Sequence, residues 1–369
     1  MQDIRFFCGV HSALPRGAFG LCFDMADYPR VSYLISKWAT VGRIAERYPG
    51  YPAAPGRVTE SGEDFKMQRV RKEIGAERID LRSWQRHGIT MAVLDTGMAQ
   101  HPDLAGRVDA FFDFVQADGR ETACYDDNGH GTHVCGILCG SGRMSDGRYR
   151  GIAPDSRLVV CKVLDYRGDG SMEHMLQGIL FVERNYKSYD IRIVNISVGI
   201  GQLKDGRKVA ELAGAIQRLW KLGLVVVCAA GNKGPGENTI SAVGNGEKVI
   251  MVGCHDGNYR RGEPGSCSLY SGRGQEGGRI RKPDLVAPGT DIISCNAFYR
   301  EKGQWRYYVA KSGTSMATPI VSGCAALLFQ KEPYLSNDQV RERLIYSARD
   351  LGEAWNQQGW GMVNLRNLL

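Results

Sequence analysis

Four polar residues have the types that acyl transfer needs, and each adjoins an apolar run. Asp95 closes the apolar run of ITMAVLDTG (89–97), and His130 sits in DDNGHGTHVCG (126–136). Asn232 ends VVVCAAGN (225–232), and Ser315 lies in SGTSMATPIVSG (312–323). A serine hydroxyl is a weak nucleophile. It needs a base within hydrogen-bond reach, a group that orients the base, and donors for the oxyanion. Met316, Ile320, Cys324, Leu327 and Leu328 recur at helical spacing, which puts Ser315 at a helix start. There the free backbone N–H groups and the helix dipole favour negative charge. Pro319 is then expected in the first turn, where its missing N–H costs nothing. Asn232 can add a side-chain N–H, and Asp95 can hold a histidine in one tautomer.

Each residue also has a plainer use. Aspartate is common where a strand turns out of a sheet, so Asp95 alone is half explained as a turn residue. The segment GHGTH (129–133) presents two histidines three apart. Read by itself, it is either a pair of metal ligands or a base beside a scaffold residue. A zinc site needs further ligands with matching geometry. Cys124, Asp126 and Asp127 lie nearby but are not spaced as a tight cluster.

The elements that must position these residues are regular from Gly88 onward. ITMAVLDTG, RLVVCKVL (157–164), IRIVNISVG (191–199), LGLVVVCAAGN (222–232) and EKVIMVGC (247–254) read as buried strands. Helical candidates are Ser171–Tyr186, Val209–Leu222, Thr314–Lys331 and Asn337–Ala348. This alternation predicts an α/β fold, a mostly parallel central sheet with helices on both faces. In such sheets ligands gather at the carboxyl ends of strands. Asp95, Ser197 and Asn232 each follow one of these apolar runs.

Residues 1–87 differ. Their apolar pieces are short, and RYPGYPAAPGRVTESGED (47–64) is linker-like. Hydrophobic residues make up 43% and charged residues 24% of the 369, enough for a sizeable core. The net charge of +7 is mild, and no basic stripe interleaves with aromatics, so a nucleic-acid partner is not expected. No run is long enough to span a bilayer. The N-terminal stretch carries Asp3, Arg5, His11 and Pro15, which is not a secretory leader. The 11 cysteines are odd in number and scattered; Cys161, Cys228 and Cys324 sit inside apolar runs as small hydrophobes. The expectation is a cytoplasmic protein, provided that Met1 is the native start.

The order Asp…His…Asn…Ser, in these contexts, resembles the subtilisin-like serine proteases (subtilases, peptidase family S8). The stretches that carry it are VLDTGMAQHPDL (93–104), DNGHGTHVCG (127–136), VNISVG (194–199), AAGN (229–232), KPDLVAPG (282–289) and GTSMATP (313–319). They occur in register over about 88–369. YDDNGHGTH, GRYRGIAP and KVLDYRGDGS look most like intracellular, AprX-like subtilisins. The resemblance implies a serine endopeptidase acting on protein or peptide substrates, with no cofactor needed for the chemistry. Asp95 would orient the base His130, Ser315 would attack, and Asn232 with the Ser315 N–H would form the oxyanion hole. His133 would be scaffold. Ser197, Val198 and Gly199 would flank one side of a bound peptide, with Gly170 and Ser171 on the other. Ala229, Ala230 and Gly231 would wall the first specificity pocket. Asp103 matches one ligand of a structural calcium common in the family, although the loop 141–150 is poor in acids. Residues 1–87 would be a pro-region cut within KMQRVRKEIGAERI (66–79), or an extension that stays. The catalytic domain would cover 88–369.

Overall fold

Apolar runs closed by glycine or polar residues suit strands buried on both faces. The computed structural model describes residues 6–7, 66–76, 88–200, 206–242, 246–259, 261–278, 280–301 and 303–369. All five expected strands form: β2 (Thr90–Asp95), β5 (Arg157–Lys162), β7 (Ile191–Ile196), β9 (Val225–Ala229) and β10 (Ile250–Cys254). They join β3 (Val108–Asp113), β4 (Arg120–Glu121) and β11 (Leu285–Ala287) in an eight-stranded sheet of order β11-β10-β9-β7-β2-β5-β3-β4. Every pairing is parallel except that of the edge strand β4. The mostly parallel sheet and its helical cover are as expected. Strand β3 was not foreseen. Its sequence VDAFFD carries two aspartates, and it is buried only from Ala110 on, with Phe112 against Phe181 at 4.0 Å between ring centroids.

Short strands complete the set: β1 (Phe6–Phe7), β6 (Asp169–Gly170), β8 (Gly199–Ile200), β12 (Ile292–Cys295), β13 (Arg300–Glu301), β14 (Gln304–Trp305) and β15 (Tyr308–Lys311). The helices are α1 (Lys66–Glu73), α2 (His130–Cys139), α3 (Met172–Asn185), α4 (Gly206–Lys221), α5 (Cys267–Tyr270), α6 (Thr314–Lys331), α7 (Asn337–Ser347), α8 (Trp355–Gln358) and α9 (Leu365–Leu368). Helix α6 is buried from Thr314 to Phe329, packing on α2 and against β7, β9, β10 and β11. Such burial is worth roughly 1.5–3 kcal/mol for each large apolar side chain. Pro319 corrects one expectation. It is the sixth residue of α6, so it lies past the first turn. The N–H it lacks would have bonded the Ser315 carbonyl, so that carbonyl has no donor from Pro319.

Helix α1 belongs to the same packing unit as the sheet. Met67, Val70 and Ile74 are buried, Arg69 bonds Asp256 at 3.1 Å, and Ile74 O accepts Leu365 N–H at 2.7 Å. The stretch read as a processing point is therefore largely a packed helix. The linker-like 47–64 lies outside the described residues. Cys161, Cys228 and Cys324 are free and buried, which pushes the Cys228 and Cys324 thiols up to about 12.

Candidate active site

Asp95 ends β2 and His130 begins α2, and the two meet in the interior. His130 Nδ1 donates to Asp95 Oδ1 at 2.6 Å, with both side chains fully buried. A carboxylate only accepts, so Nδ1 carries a proton, and in the neutral ring the lone pair is on Nε2. Nε2 is buried with no hydrogen-bond partner. The same Asp95 oxygen accepts the Thr96 N–H at 2.7 Å, which fixes the carboxylate.

Asp126, considered above only as a metal ligand, builds the frame. Its Oδ1 accepts from Thr96 Oγ1 at 2.9 Å and from the Gly129 and Asn128 N–H groups at 2.8 and 3.1 Å. Its Oδ2 accepts from Thr132 N and Oγ1 at 2.8 and 2.6 Å. Thr96 Oγ1 in turn accepts Gly131 N–H at 2.8 Å. One buried carboxylate thus ties the strand end bearing Asp95 to the helix start bearing His130, where the dipole favours it. Gly129 has φ +89°, and Gly131 lies against the Gly97 carbonyl with no room for a Cβ. The positive φ explains the first glycine of GHGTH, and the close approach explains the second. Lys162, buried at the end of β5, donates to Thr96 O, Leu164 O and Asp127 Oδ1 at 2.7, 2.9 and 2.7 Å. The readable signal was a lysine inside the apolar run RLVVCKVL.

His133 has a different task. Its Nε2 donates to the Ile292 and Val309 carbonyls at 3.0 and 3.1 Å, tying α2 to β12 and β15. Burial foremost, then Lys311 and His130, holds its pKa well below the ordinary 6.5. The sign follows. Above pH 6.5 the ring is neutral folded or unfolded; below it the unfolded chain gains a proton that the fold refuses, so stability falls as pH falls. The limit for one group is about 1.4 kcal/mol per pH unit. His133→Gln should therefore flatten the decline of Tm between pH 6.5 and 5. An unchanged slope would refute this assignment.

Ser315 is the second residue of α6 and only 2% exposed. Thr314, just before it, donates from N and Oγ1 to Asn232 Oδ1, both at 3.0 Å, and accepts Gly231 N–H at 3.1 Å. With Oδ1 held, the amide orientation is set and its donor end is Nδ2. Ser322 Oγ donates to Asn195 Oδ1 at 2.9 Å, and Asn195 Nδ2 donates to Ser197 Oγ at 2.8 Å, which ties α6 to the end of β7. Sequence reasoning passed over Thr96, Thr314, Asn195 and Ser322. The first two were visible only as neighbours of Asp95 and Ser315.

A comparison with known proteins decides the family. The model of the subtilase family (Peptidase_S8) matches residues 86–361. This chain belongs to the subtilase family. It is 40% identical over 294 residues to serine protease AprX of Bacillus subtilis (strain 168), covering 76% of this chain and 66% of AprX. It is 36% identical to subtilisin Savinase of Lederbergia lenta, covering 75% of this chain and 89% of Savinase. Among solved structures, Sphericase superposes with a TM-score of 0.65 at 27% identity, over 80% of this chain and 96% of that one.

In this subtilase a short strand runs beside the residues expected to flank a peptide. Strand β1 lies between β6 and β8, antiparallel to both. Phe6 pairs with Gly170 and Ile200, and Phe7 with Asp169 and Gly199. Gly170 and Gly199 are thus brought to one added strand. Ser197 and Val198 are buried just before β8. Ser171 instead caps α3, its hydroxyl accepting the His174 N–H at 3.1 Å. Ala229 and Ala230 are buried, and Gly231 turns at φ +92° into Asn232.

Asp103, the expected calcium candidate, is engaged by protein donors. It is buried, and its oxygens accept from Met144 N at 2.9 Å and Tyr308 Oη at 2.6 Å. The His and Cys side chains clustered with it are His101 and Cys295. No helix among the described residues is long and apolar enough to cross a membrane.

Proposed function

We propose that this chain is a serine endopeptidase in which Ser315 attacks the peptide carbonyl and His130 accepts its proton. The observation that carries this reading is the buried 2.6 Å bond from His130 to Asp95, which leaves Nε2 as the one basic nitrogen of the ring. As Ser315 Oγ bonds to the carbonyl carbon, its proton moves to Nε2. The oxyanion forms where the Ser315 N–H and Asn232 Nδ2 can meet it. The imidazolium then protonates the leaving amine, and water repeats the cycle on the acyl-enzyme. Asp95 stays ionised throughout and stabilises the imidazolium. A fluorophosphonate probe should label the wild-type chain on Ser315 and leave Ser315→Ala unlabelled. Labelling of the variant, or none of the wild type, would refute the assignment.

The substrate would bind as an added strand, main chain to β6 and β8, which gives affinity for backbone and leaves side chains to pockets. The seating of Phe6–Phe7 in that position supports this mode. It also supports reading the leading segment of 1–87 as a competitor of substrate. Deleting residues 1–11 should lower KM for a short peptide by about tenfold if one groove in ten is otherwise open, with kcat unchanged. An unaltered KM would remove the competition. Action in the cytoplasm is part of the same proposal. It is supported by the seven free cysteines among the described residues and by 33% identity to a protein of Paenibacillus polymyxa named intracellular serine protease, over 75% of this chain and 79% of that one.

A further inference from the structure

Cys254, the last residue of β10, is disulfide-bonded to Cys267, the first residue of α5, with Cα atoms 5.4 Å apart. The other described cysteines are free. Both partners of the bond line a cavity of about 230 Å³, together with His255, Arg261, Arg273 and Glu353. A cavity of that size admits a small thiol.

The bond lies against the wall that frames Asn232. Ser271 Oγ, one residue past α5, accepts the Cys254 N–H at 2.9 Å. The next residue, Gly272, donates to Gly231 O at 2.8 Å, and Gly234 N–H donates to Tyr270 O at 2.9 Å. Helix α5 therefore grips the chain on both sides of Asn232. On the other flank, Asp256 Oδ1, two residues from Cys254, accepts the Gly289 N–H at 3.0 Å. Gly289 O accepts the N–H of Gly313 at 2.9 Å, and Gly313 caps the helix that carries Ser315. Tyr270 Oη stands 3.4 Å from each sulfur and from Gly289 O. Both arms of the expected oxyanion site thus run back to this one covalent link.

We propose that Cys254–Cys267 is a reversible exchange site for a low-molecular-weight thiol, and that its state sets how firmly the Asn232 wall is held. A small thiolate entering the cavity attacks one sulfur of the pair. A mixed disulfide forms, the Cys254–Cys267 bond breaks, and the other cysteine leaves as a thiolate and takes a proton. A second small thiol attacks the mixed bond and releases the small disulfide and the second protein thiol. Two small thiols are oxidised and one protein disulfide is reduced. With the link open, α5 is held by hydrogen bonds and by the packing of Tyr270 alone, and the wall gains freedom. The consequence for activity rests on the serine-protease reading; the exchange chemistry does not.

The test uses the full chain, with and without millimolar free cysteine as the small thiol. Iodoacetamide alkylation and peptide mapping should find Cys254 and Cys267 linked before treatment and both alkylated after it. The rate of fluorophosphonate labelling at Ser315 should fall by about tenfold on reduction, within the ~10²-fold that an ångström of misplacement costs. The variant Cys254→Ser/Cys267→Ser should already show the lower rate and not respond to thiol. The inference is overturned if the pair is alkylated without thiol, if a bound metal protects it, or if reduction leaves the wild-type rate unchanged. A response that persists in the double variant also overturns it. Should that variant fail to fold, the wild-type peptide map and labelling rate decide the matter. If Ser315 never labels even in the oxidised chain, the protease reading fails and the exchange is judged by the map alone.

Discussion

Asp95→Asn should lower kcat by about 10⁴-fold and leave KM nearly unchanged, a size already known for triad enzymes, subtilisins included. The local geometry says why the loss falls on kcat. Asp95 is fully buried on the sheet side of His130, and its side chain bonds His130 and the Thr96 N–H. Its charge matters when the imidazolium forms. A loss of that size is about 5.4 kcal/mol of transition-state stabilisation. Two opposite charges about 4 Å apart at an effective dielectric of 20 interact by about 4 kcal/mol, which is comparable. Asparagine can keep its oxygen at the shared position, accepting from both His130 and Thr96. Its amide nitrogen then takes the place of Oδ2, which has no hydrogen-bond partner. The change therefore adds a buried, unsatisfied donor as well as removing the charge, costing about 1–3 kcal/mol of stability. Steady-state kinetics with a saturating peptide, with Tm as a companion, separate the two. A loss of kcat under tenfold would contradict the role.

Asn232→Ala should lower kcat by about 10²–10³-fold with KM little changed, the cost known in this family for removing an oxyanion-hole donor. The bond to Nδ2 strengthens only as the carbonyl oxygen gains charge, so its loss is felt in the transition state. One complication is specific to this chain. Asn232 Oδ1 also receives both donors of Thr314, next to Ser315, so alanine loosens the frame as well. Asn232→Asp resolves this, since it keeps an oxygen for Thr314 and removes the donor. Equal or greater loss in the aspartate variant supports oxyanion stabilisation. Near-normal kcat in the aspartate variant, beside a slow alanine variant, would make Asn232 a framing residue instead.

Much of this was legible because the information is local. Strands buried on both faces must be apolar throughout, so β2, β5, β7, β9 and β10 announce themselves. The helical period with its flanking residues gave α6 end to end and α3 and α7 to within a residue or so. Motif order along the chain then indicated the family, and the named residues came with it. The misses differ in cause. Strand β3 is mixed in character and is made a strand by its neighbour β5. The expectation for Pro319 rests on its tolerance near a helix start, although counting from Thr314 puts it sixth, past the first turn.

The sequence by itself determined the fold class, the family and the candidates Asp95, His130, Asn232 and Ser315, since each rests on short contiguous stretches. Which atoms meet depends on how distant segments pack. The tertiary structure made Asp126 a clamp between two loops 30 residues apart rather than a ligand. It gave His133 two carbonyls from distant strands, closed Cys254 on Cys267, and paired residues 6–7 with residues 169–170 and 199–200. These are pairings between distant segments, governed by hydrogen-bond satisfaction of buried groups, and no single stretch of sequence carries them.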